Sequence, residues 1–408
     1  MIIKPKNIAA ALMLAALLLA APALGGGWSW SAYQRRLSPA AQRVLLQAQE
    51  LAVKKKEQEA LAVLEAFSRD RSGSVPALLE FMVGNLQFSL DRCQAAAASY
   101  QRVVQRLPEC LPARENLGMV FLSLQQYRPA GEQFAAAAAL ARKTDSGRLD
   151  ALLKYAGTAW LLAADYERAL PYFRELVEQR QNVDREAVRA LVRAYVELRR
   201  PKEAEKMLVR LLDRFPDDPG YWRLLARVRL RREAYKSALA AYKILTVLEP
   251  AGAEEMKMMA RLYRLLGVPA AAGRIMEDLY RQQPEVLKAA DLDLMVSLYL
   301  EAGETDRALA WLRRKQHRQP SPRNLLREGE ILFRSARYRE AFKVFNRLTS
   351  LPEKQGYQFL LAGYCAWYAG DLPAARSAFN RACRYEKYRD RSLSLIAALE
   401  KIMGQGRS

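Results

Sequence analysis

Apolar residues recur every three or four positions along most of the chain, which is the period of helices that bury one face. The stretch from Trp222 to Pro250 shows this pattern clearly. One helical segment runs to about Arg231, a turn follows near Glu233, and a second segment starts near Lys236 and is ended by the proline. Because alternating Val, Ile and Thr runs bounded by turn residues are missing, the pattern predicts an all-α protein.

The same helical hairpin recurs along the chain at intervals close to 34 residues. Each copy has an alanine in its second helix, a bulky residue four positions later, and a small or β-branched residue twelve positions earlier. The alanines are Ala60, Ala96, Ala130, Ala169, Ala204, Ala238, Ala272, Ala308, Ala341 and Ala375. The bulky residues are Leu64, Tyr100, Phe134, Phe173, Leu208, Tyr242, Met276, Leu312, Phe345 and Phe379. The small residues are Ala48, Gly84, Gly118, Gly157, Val192, Ala226, Ala260, Val296, Gly329 and Gly363.

This pattern resembles the tetratricopeptide repeat family, whose unit combines a tryptophan, a glycine, an alanine, an aromatic residue and a closing proline. Five units end on register at Pro108, Pro216, Pro250, Pro284 and Pro320. The resemblance covers residues 41–388 and implies a right-handed α-solenoid of about ten hairpins. We therefore predict a leader at 1–23, a lead-in at 24–40, the repeat array at 41–388, and a capping helix with a tail at 389–408. The capping helix itself is predicted over Ser392–Met403.

The first residues have the features of a secretory leader. Lys4 and Lys6 precede an apolar run from Ile8 to Ala21, and Ala21-Pro22-Ala23 places small residues at a cleavage site. We expect cleavage and export to a bacterial periplasm. The alternative is an uncleaved membrane anchor, although the run is short for a bilayer span, which needs about 20 apolar residues.

The chain is strongly basic, with 65 Lys and Arg against 44 Asp and Glu and a formal net charge of +21. Removal of Lys4 and Lys6 with the leader would leave 63 basic residues against 44 acidic ones, a charge of +19. Such a protein attracts acidic proteins, anionic lipid or polysaccharide, or nucleic acid. The alternative is that the charge only solvates an arginine-rich helical surface.

The four cysteines raise the question of disulfides in an exported chain. Cys93 and Cys110 flank one helix and lie roughly 25 Å apart at 1.5 Å per residue, beyond bonding distance. Cys365 and Cys383 lie on the two helices of one hairpin and are offset by more than a turn. We therefore expect buried or free thiols.

Catalytic and metal-binding motifs are missing from the sequence. The single histidine, His317, stands among basic residues such as Arg314 and Arg318, which is typical of a surface position. One histidine excludes an HExxH zinc site, and no GxSxG, GxxxxGK or GxGxxG motif occurs. We expect no catalytic residue, no metal, no cofactor and no small-molecule substrate.

The resemblance further implies that the first helix of each hairpin lines a concave groove that holds peptide ligands. Transferring the family's groove positions to this chain gives a basic strip and, at the last repeat, an aromatic cluster. The strip consists of Lys154, Arg189, Arg193, Arg223, Arg227, Arg231, Lys257, Arg261, Arg264 and Arg327, and the cluster of Tyr364, Trp367 and Tyr368. The second repeat offers Phe81, Asn85 and Phe88. The family's lysine and asparagine clamp for a terminal carboxylate is not reproduced here.

Two interpretations of the groove stay open. The first is a non-enzymatic adaptor of the cell envelope that holds an acidic segment of a partner protein, with charge-assisted hydrogen bonds from Arg and Lys. The second is a binder of anionic polymer: polysaccharide, lipopolysaccharide or nucleic acid, the last disfavoured because the leader directs the chain out of the cytoplasm. A peripheral position on a membrane is compatible with the charge. Some groove arginines could instead pair with acids such as Glu186, and the aromatic cluster could pack on the capping helix.

Overall fold

The computed structural model describes residues 30–69, 75–144, 147–178, 183–351 and 356–405. These residues form α-helices joined by short turns, and no strand occurs among them, which confirms the all-α prediction. After a helical turn at Ser31–Gln34, the helices are α1 Pro39–Val53, α2 Glu57–Arg69, α3 Ala77–Ser89, α4 Cys93–Arg106, α5 Leu111–Ser123, α6 Tyr127–Thr144, α7 Leu149–Leu162, α8 Tyr166–Glu178, α9 Arg185–Glu197 and α10 Pro201–Arg214. They continue with α11 Pro219–Arg231, α12 Tyr235–Leu248, α13 Ala253–Leu265, α14 Pro269–Gln282, α15 Ala289–Glu301, α16 Thr305–Arg318, α17 Pro322–Arg334, α18 Tyr338–Thr349, α19 Gly356–Tyr368, α20 Leu372–Ala382 and α21 Glu386–Gln405.

The helices form two compact units, one ending at Arg214 and one beginning at Phe215. In each unit an odd-numbered helix packs on the even-numbered helix that follows it, and each such hairpin packs on the next. Helix α21 follows the tenth hairpin and packs on α19 and α20. This is an all-α helical-repeat fold, in which each hairpin buries its apolar faces against its neighbours.

The repeated positions form the helix crossings. All ten alanines of the repeat have no exposed surface, and each bulky residue four positions later is also buried. Five crossings pair a glycine with an aromatic ring sixteen positions later. The glycines are Gly84, Gly118, Gly157, Gly329 and Gly363, and at each of them a Cβ atom would lie closer than 3.0 Å to the ring. Four of the other five crossings pair alanine or valine with leucine or methionine, so the two positions share one volume.

The turns inside the hairpins have a common backbone conformation. The residue five positions before each repeat alanine has a φ between 55° and 83°. These residues are Lys55, Asp91, Gln125, Ala164, Arg199, Glu233, Gly267, Gly303, Ala336 and Gly370. In the sixth hairpin the amide of Ala234 bonds back to the carbonyl of Arg229 at 2.9 Å, which ends the first helix with a left-handed residue.

The residues before the first hairpin and after the tenth pack on the array. The indole of Trp30 lies on Phe81 with 5.1 Å between ring centroids. At the other end Leu399 of α21 is fully buried in the cluster that contains Phe359 and Phe379. This helix begins at Glu386, six residues before the predicted start, because its first turns are too polar to show an apolar period.

The predicted leader lies outside the described residues. Among the residues that are described, no helix is both long enough and apolar enough to cross a membrane.

Candidate functional site

Ion pairs join the first helices of successive hairpins. In three hairpins the basic residue lies three positions before the small crossing residue, and its partner is an acid on the next first helix or at its N-terminal cap. The pairs are Lys154 Nζ with Asp184 at 2.9 Å and Glu186 at 2.5 Å, Arg223 Nε with Glu255 at 2.5 Å, and Lys257 Nζ with Asp291 at 3.2 Å. We call these residues the ion-pair ladder. Because each rung joins two first helices, those helices lie side by side within each unit.

Two cations of the ladder, Arg223 and Lys154, are held in the charged form. The hydrogen bond to Glu255 raises the pKa of Arg223, and a second carboxylate, Glu249, also contacts this guanidinium. Burial alone would lower the pKa of Lys154, but the hydrogen bonds to Glu186 and Asp184 raise it. The charges of these two predicted groove residues are therefore largely neutralised within the protein.

Two further residues of the predicted strip are paired in the same way. Arg264 donates two hydrogen bonds to Glu301, at 3.0 and 2.6 Å. Arg327 contacts Asp293 at 3.1 Å and also donates to the hydroxyl of Ser297 at 3.1 Å. Helix α15 carries acids and no base, and its acids form ion pairs with bases on the first helices on both sides, α13 and α17.

The remaining arginines of the strip are exposed, and within the described part of the chain none of them makes an ion pair. We call them the free arginines: Arg189 and Arg193 in the first unit, and Arg227, Arg231 and Arg261 in the second. Arg193, Arg227 and Arg261 occupy one repeat position, directly after the small crossing residue. In the second unit, Arg227 on α11 and Arg261 on α13 lie one turn beyond the rung formed by Arg223 and Glu255.

The contrast between the two rows follows from their surroundings. The three ladder bases, Lys154, Arg223 and Lys257, face acids 30 to 34 residues later in the sequence, whereas Arg189 holds the same repeat position and has no acid at that spacing. Arg227 and Arg261 lie one helical turn further on. In the next repeat, the position of Arg227 is occupied by Arg261 and that of Arg261 by Ser297, and neither residue carries a negative charge. The charges of Arg227 and Arg261 are therefore not neutralised by acids of the described residues.

A cleft of about 500 Å³ lies beside Arg261, between α13 and α15. Its lining consists of Ala260, Arg261, Arg264, Leu265, Leu294 and Leu298. Sequence reasoning identified the two arginines and missed the three leucines. The available signal was Leu265, an apolar residue at the position where the preceding repeat has Arg231.

The aromatic cluster of the last repeat is mostly internal packing. Tyr364 meets Phe379 edge to face at 5.6 Å and accepts a hydrogen bond of 3.0 Å from Arg391 of α21. Trp367 also packs against Phe379, with 6.3 Å between ring centroids. Tyr368 alone is well exposed and stacks on Tyr338 at 5.0 Å. The alternative of packing on the capping helix therefore describes Tyr364, and Trp367 packs on its own hairpin.

Two of the three groove residues offered by the second repeat, Phe81 and Asn85, are covered as well. Phe81 is buried beneath Trp30, and Asn85 is fully buried. The Asn85 side-chain oxygen accepts from the Tyr100 hydroxyl at 2.6 Å and from Asn116 at 3.0 Å. These residues hold the array together and present no open surface.

No group of three or more His, Cys, Asp or Glu side chains suited to a metal ion occurs in the described ranges. The four cysteines are free thiols. Among the residues of the predicted strip, those without an ion pair in the described ranges are the free arginines, whose chemistry suits recognition of negative charge.

Two family models match the chain, both for the tetratricopeptide repeat, at residues 81–147 and 161–228. Together with the ten crossings, these matches support a protein of the tetratricopeptide repeat family. This fold is in general a non-catalytic scaffold for interactions between proteins.

The chain is also similar to solved repeat structures. A tetratricopeptide repeat protein from Parabacteroides merdae is 14% identical to this chain, with a TM-score of 0.36. The alignment covers 64% of this chain and 100% of that protein. The C-terminal part of a repeat protein from Cytophaga hutchinsonii is 17% identical, with coverages of 61% and 98% and a TM-score of 0.44. YrrB, described as having an unusual peptide-binding site, is 16% identical, with coverages of 51% and 99% and a TM-score of 0.35. No curated protein sequence matches the chain.

Proposed function

We propose that the protein is a non-enzymatic adaptor of the cell envelope that holds an acidic segment of a partner protein on its first-helix faces. The observation that carries this proposal is that unpaired arginines lie beside the ion-pair ladder, whose charges are neutralised within the protein. Arg227 and Arg261 occupy the same repeat position on adjacent first helices, are exposed, and make no ion pair with the described residues.

The chemistry of an arginine row favours carboxylates. A guanidinium binds a carboxylate through two parallel hydrogen bonds, and such charge-assisted bonds are about twice as strong as neutral ones. Helix α11 carries four arginines and no acid, so a partner's acids would also be steered towards it during encounter.

The place of action rests on the predicted leader. Release into the periplasm requires cleavage after the apolar run, and mass spectrometry of the exported protein should find a first residue near Leu24 or Gly26. A mature chain that retains Lys4 would instead be anchored by this segment.

A binder of anionic polymer is the alternative, and the cleft beside Arg261 argues for a protein ligand. The cleft has apolar walls, whereas a polysaccharide needs polar groups along its path. A crosslinking pull-down from intact cells of the source organism distinguishes the two. We expect crosslinks from α11 and α13 to acidic segments of a protein, lost in Arg227→Glu with Arg261→Glu. Crosslinks confined to even-numbered helices, or capture of polysaccharide in place of protein, would contradict the proposal.

A further inference from the structure

The cleft between α13 and α15 combines an apolar interior with one unpaired charge at its rim. Ala260 and Leu298 form its floor, and each has only 1% of its surface exposed. Leu294 and Leu265 form the walls, and Leu265 is 60% exposed although it lies on a first helix. An exposed leucine beside a half-open apolar cleft loses its contact with water when a ligand enters, which favours an apolar occupant.

The two arginines of the cleft have different roles. Arg264 is held by Glu301 through two hydrogen bonds, so it offers little further charge to a ligand. Arg261 is exposed and forms no ion pair within the described ranges. A ligand therefore meets apolar walls and, within one helical turn, one available guanidinium.

The volume of about 500 Å³ suits one large side chain with part of its backbone. This volume falls in the range of roughly 300–1,000 Å³ that is usual for binding pockets. The positive rim disfavours lysine or arginine as the occupant, and the leucine walls disfavour a carboxylate inside the cleft. An aliphatic side chain next to an acid satisfies both parts of the site.

Resting on the proposed function, we infer that the cleft selects the partner segment: it binds a leucine, isoleucine or methionine side chain whose neighbouring Asp or Glu pairs with Arg261. The free arginines supply attraction for acidic chain in general. The cleft supplies the preference for one aliphatic residue at a fixed place in that chain.

The test uses two fluorescein-labelled 15-residue peptides of Glu and Ser that differ only in a central Leu or Ala. Fluorescence anisotropy with the purified protein should show the Leu peptide binding about tenfold more tightly, because the larger apolar side chain leaves water. Leu265→Asn should remove this preference and leave the affinity for the Ala peptide unchanged. Arg261→Gln should weaken both peptides by a similar factor and keep the preference.

A matched control variant is Leu162→Asn. Leu162 occupies the same repeat position in the fourth hairpin and is 43% exposed, so its change should leave the preference intact. Circular dichroism checks that both leucine variants stay folded.

Equal affinity of the original protein for the two peptides would overturn the inference and leave the proposed function standing. Persistence of the preference in Leu265→Asn would overturn it as well. Failure of both peptides to bind would overturn the inference together with the proposal of an acidic ligand.

Discussion

Lys257 joins the seventh and eighth hairpins through Asp291, with 3.2 Å between Nζ and Oδ2. Their side chains are only 13% and 19% exposed. The same Asp291 oxygen accepts a hydrogen bond of 2.9 Å from the backbone amide of Lys288, at the start of α15. The lysine therefore fixes the N-terminus of one first helix against the side of the preceding one.

Replacing Lys257 should destabilise the protein, whereas replacing its free neighbour Arg261 should not. Lys257→Ala leaves Asp291 partly buried without its cation, and we expect the free energy of unfolding to fall by about 1–3 kcal/mol. Arg261→Ala removes the same charge from the same helix and should change this free energy by less than about 0.5 kcal/mol. Urea denaturation followed by circular dichroism measures both. Equal effects would mean that the ladder and the free row do not differ.

Adding one methyl group at a glycine crossing should also destabilise the fold. In Gly363→Ala the new Cβ would overlap the ring of Phe379, and we expect a loss of about 1–3 kcal/mol. Alanine is the better helix former by about 1 kcal/mol, but overpacking outweighs this gain. Gly147→Ala is the control, because nothing lies within 4 Å of its Cβ. Thermal denaturation should separate the two variants, and a neutral Gly363→Ala would contradict the shared-volume account.

The cysteines should divide into two reactive and two protected thiols. Cys110 and Cys365 have no exposed surface, and burial raises the pKa of each thiol to about 12. At pH 8 we expect maleimide to label Cys93 and Cys383 in the folded protein and all four thiols in guanidinium. Rapid labelling of Cys110 in the native protein would contradict its packing.

The same thiols give a pH dependence. Because their folded pKa lies above the ordinary value of 9.0, the unfolded chain loses these protons first as the pH rises. Their contribution to stability is therefore complete below pH 9 and is lost between about pH 9 and 12. The double variant Cys110→Ala with Cys365→Ala should show a smaller decline over this interval than the original protein.

The helix crossings could be predicted from the sequence because each depends on the size of a few side chains at fixed spacing. Alanine at positions such as Ala238, with a bulky residue one turn later, marks a close approach of two helices whatever the remainder of the hairpin contains. The left-handed turns carried no such signal, since only Gly267, Gly303 and Gly370 have the expected residue and Ala336 or Glu233 adopts the same φ. Their conformation is imposed by the hydrogen bonds that end the first helix.

The site was harder to predict, because helical spacing shows which residues share a face and not which charges meet. Arg223 and Arg227 lie one turn apart on the same helix, and their sequence positions do not show which of them is paired. Only the first of them faces acids, Glu249 and Glu255. A search 30 to 34 residues after each base finds the acids of the ladder, but it also finds Asp291 and Asp293 after the unpaired Arg261, so spacing alone does not separate the two sets. The leucine cleft depends on the packing of two helices, and its one signal in the sequence was the apolar Leu265 at a position where the preceding repeat has Arg231.

The most direct test of the acidic-ligand proposal compares two charge reversals of equal size. One triple variant changes Arg227, Arg231 and Arg261 to Glu on the first helices of the second unit. The other changes Lys236, Lys243 and Arg274 to Glu, which are exposed on second helices of the same unit. Anisotropy with a fluorescein-labelled 20-residue peptide of Glu and Ser measures the Kd. We predict that the first triple weakens binding at least about tenfold and the second less than about threefold, with both proteins folded. Equal weakening by the two triples would contradict the account, because net charge alone would then explain the binding.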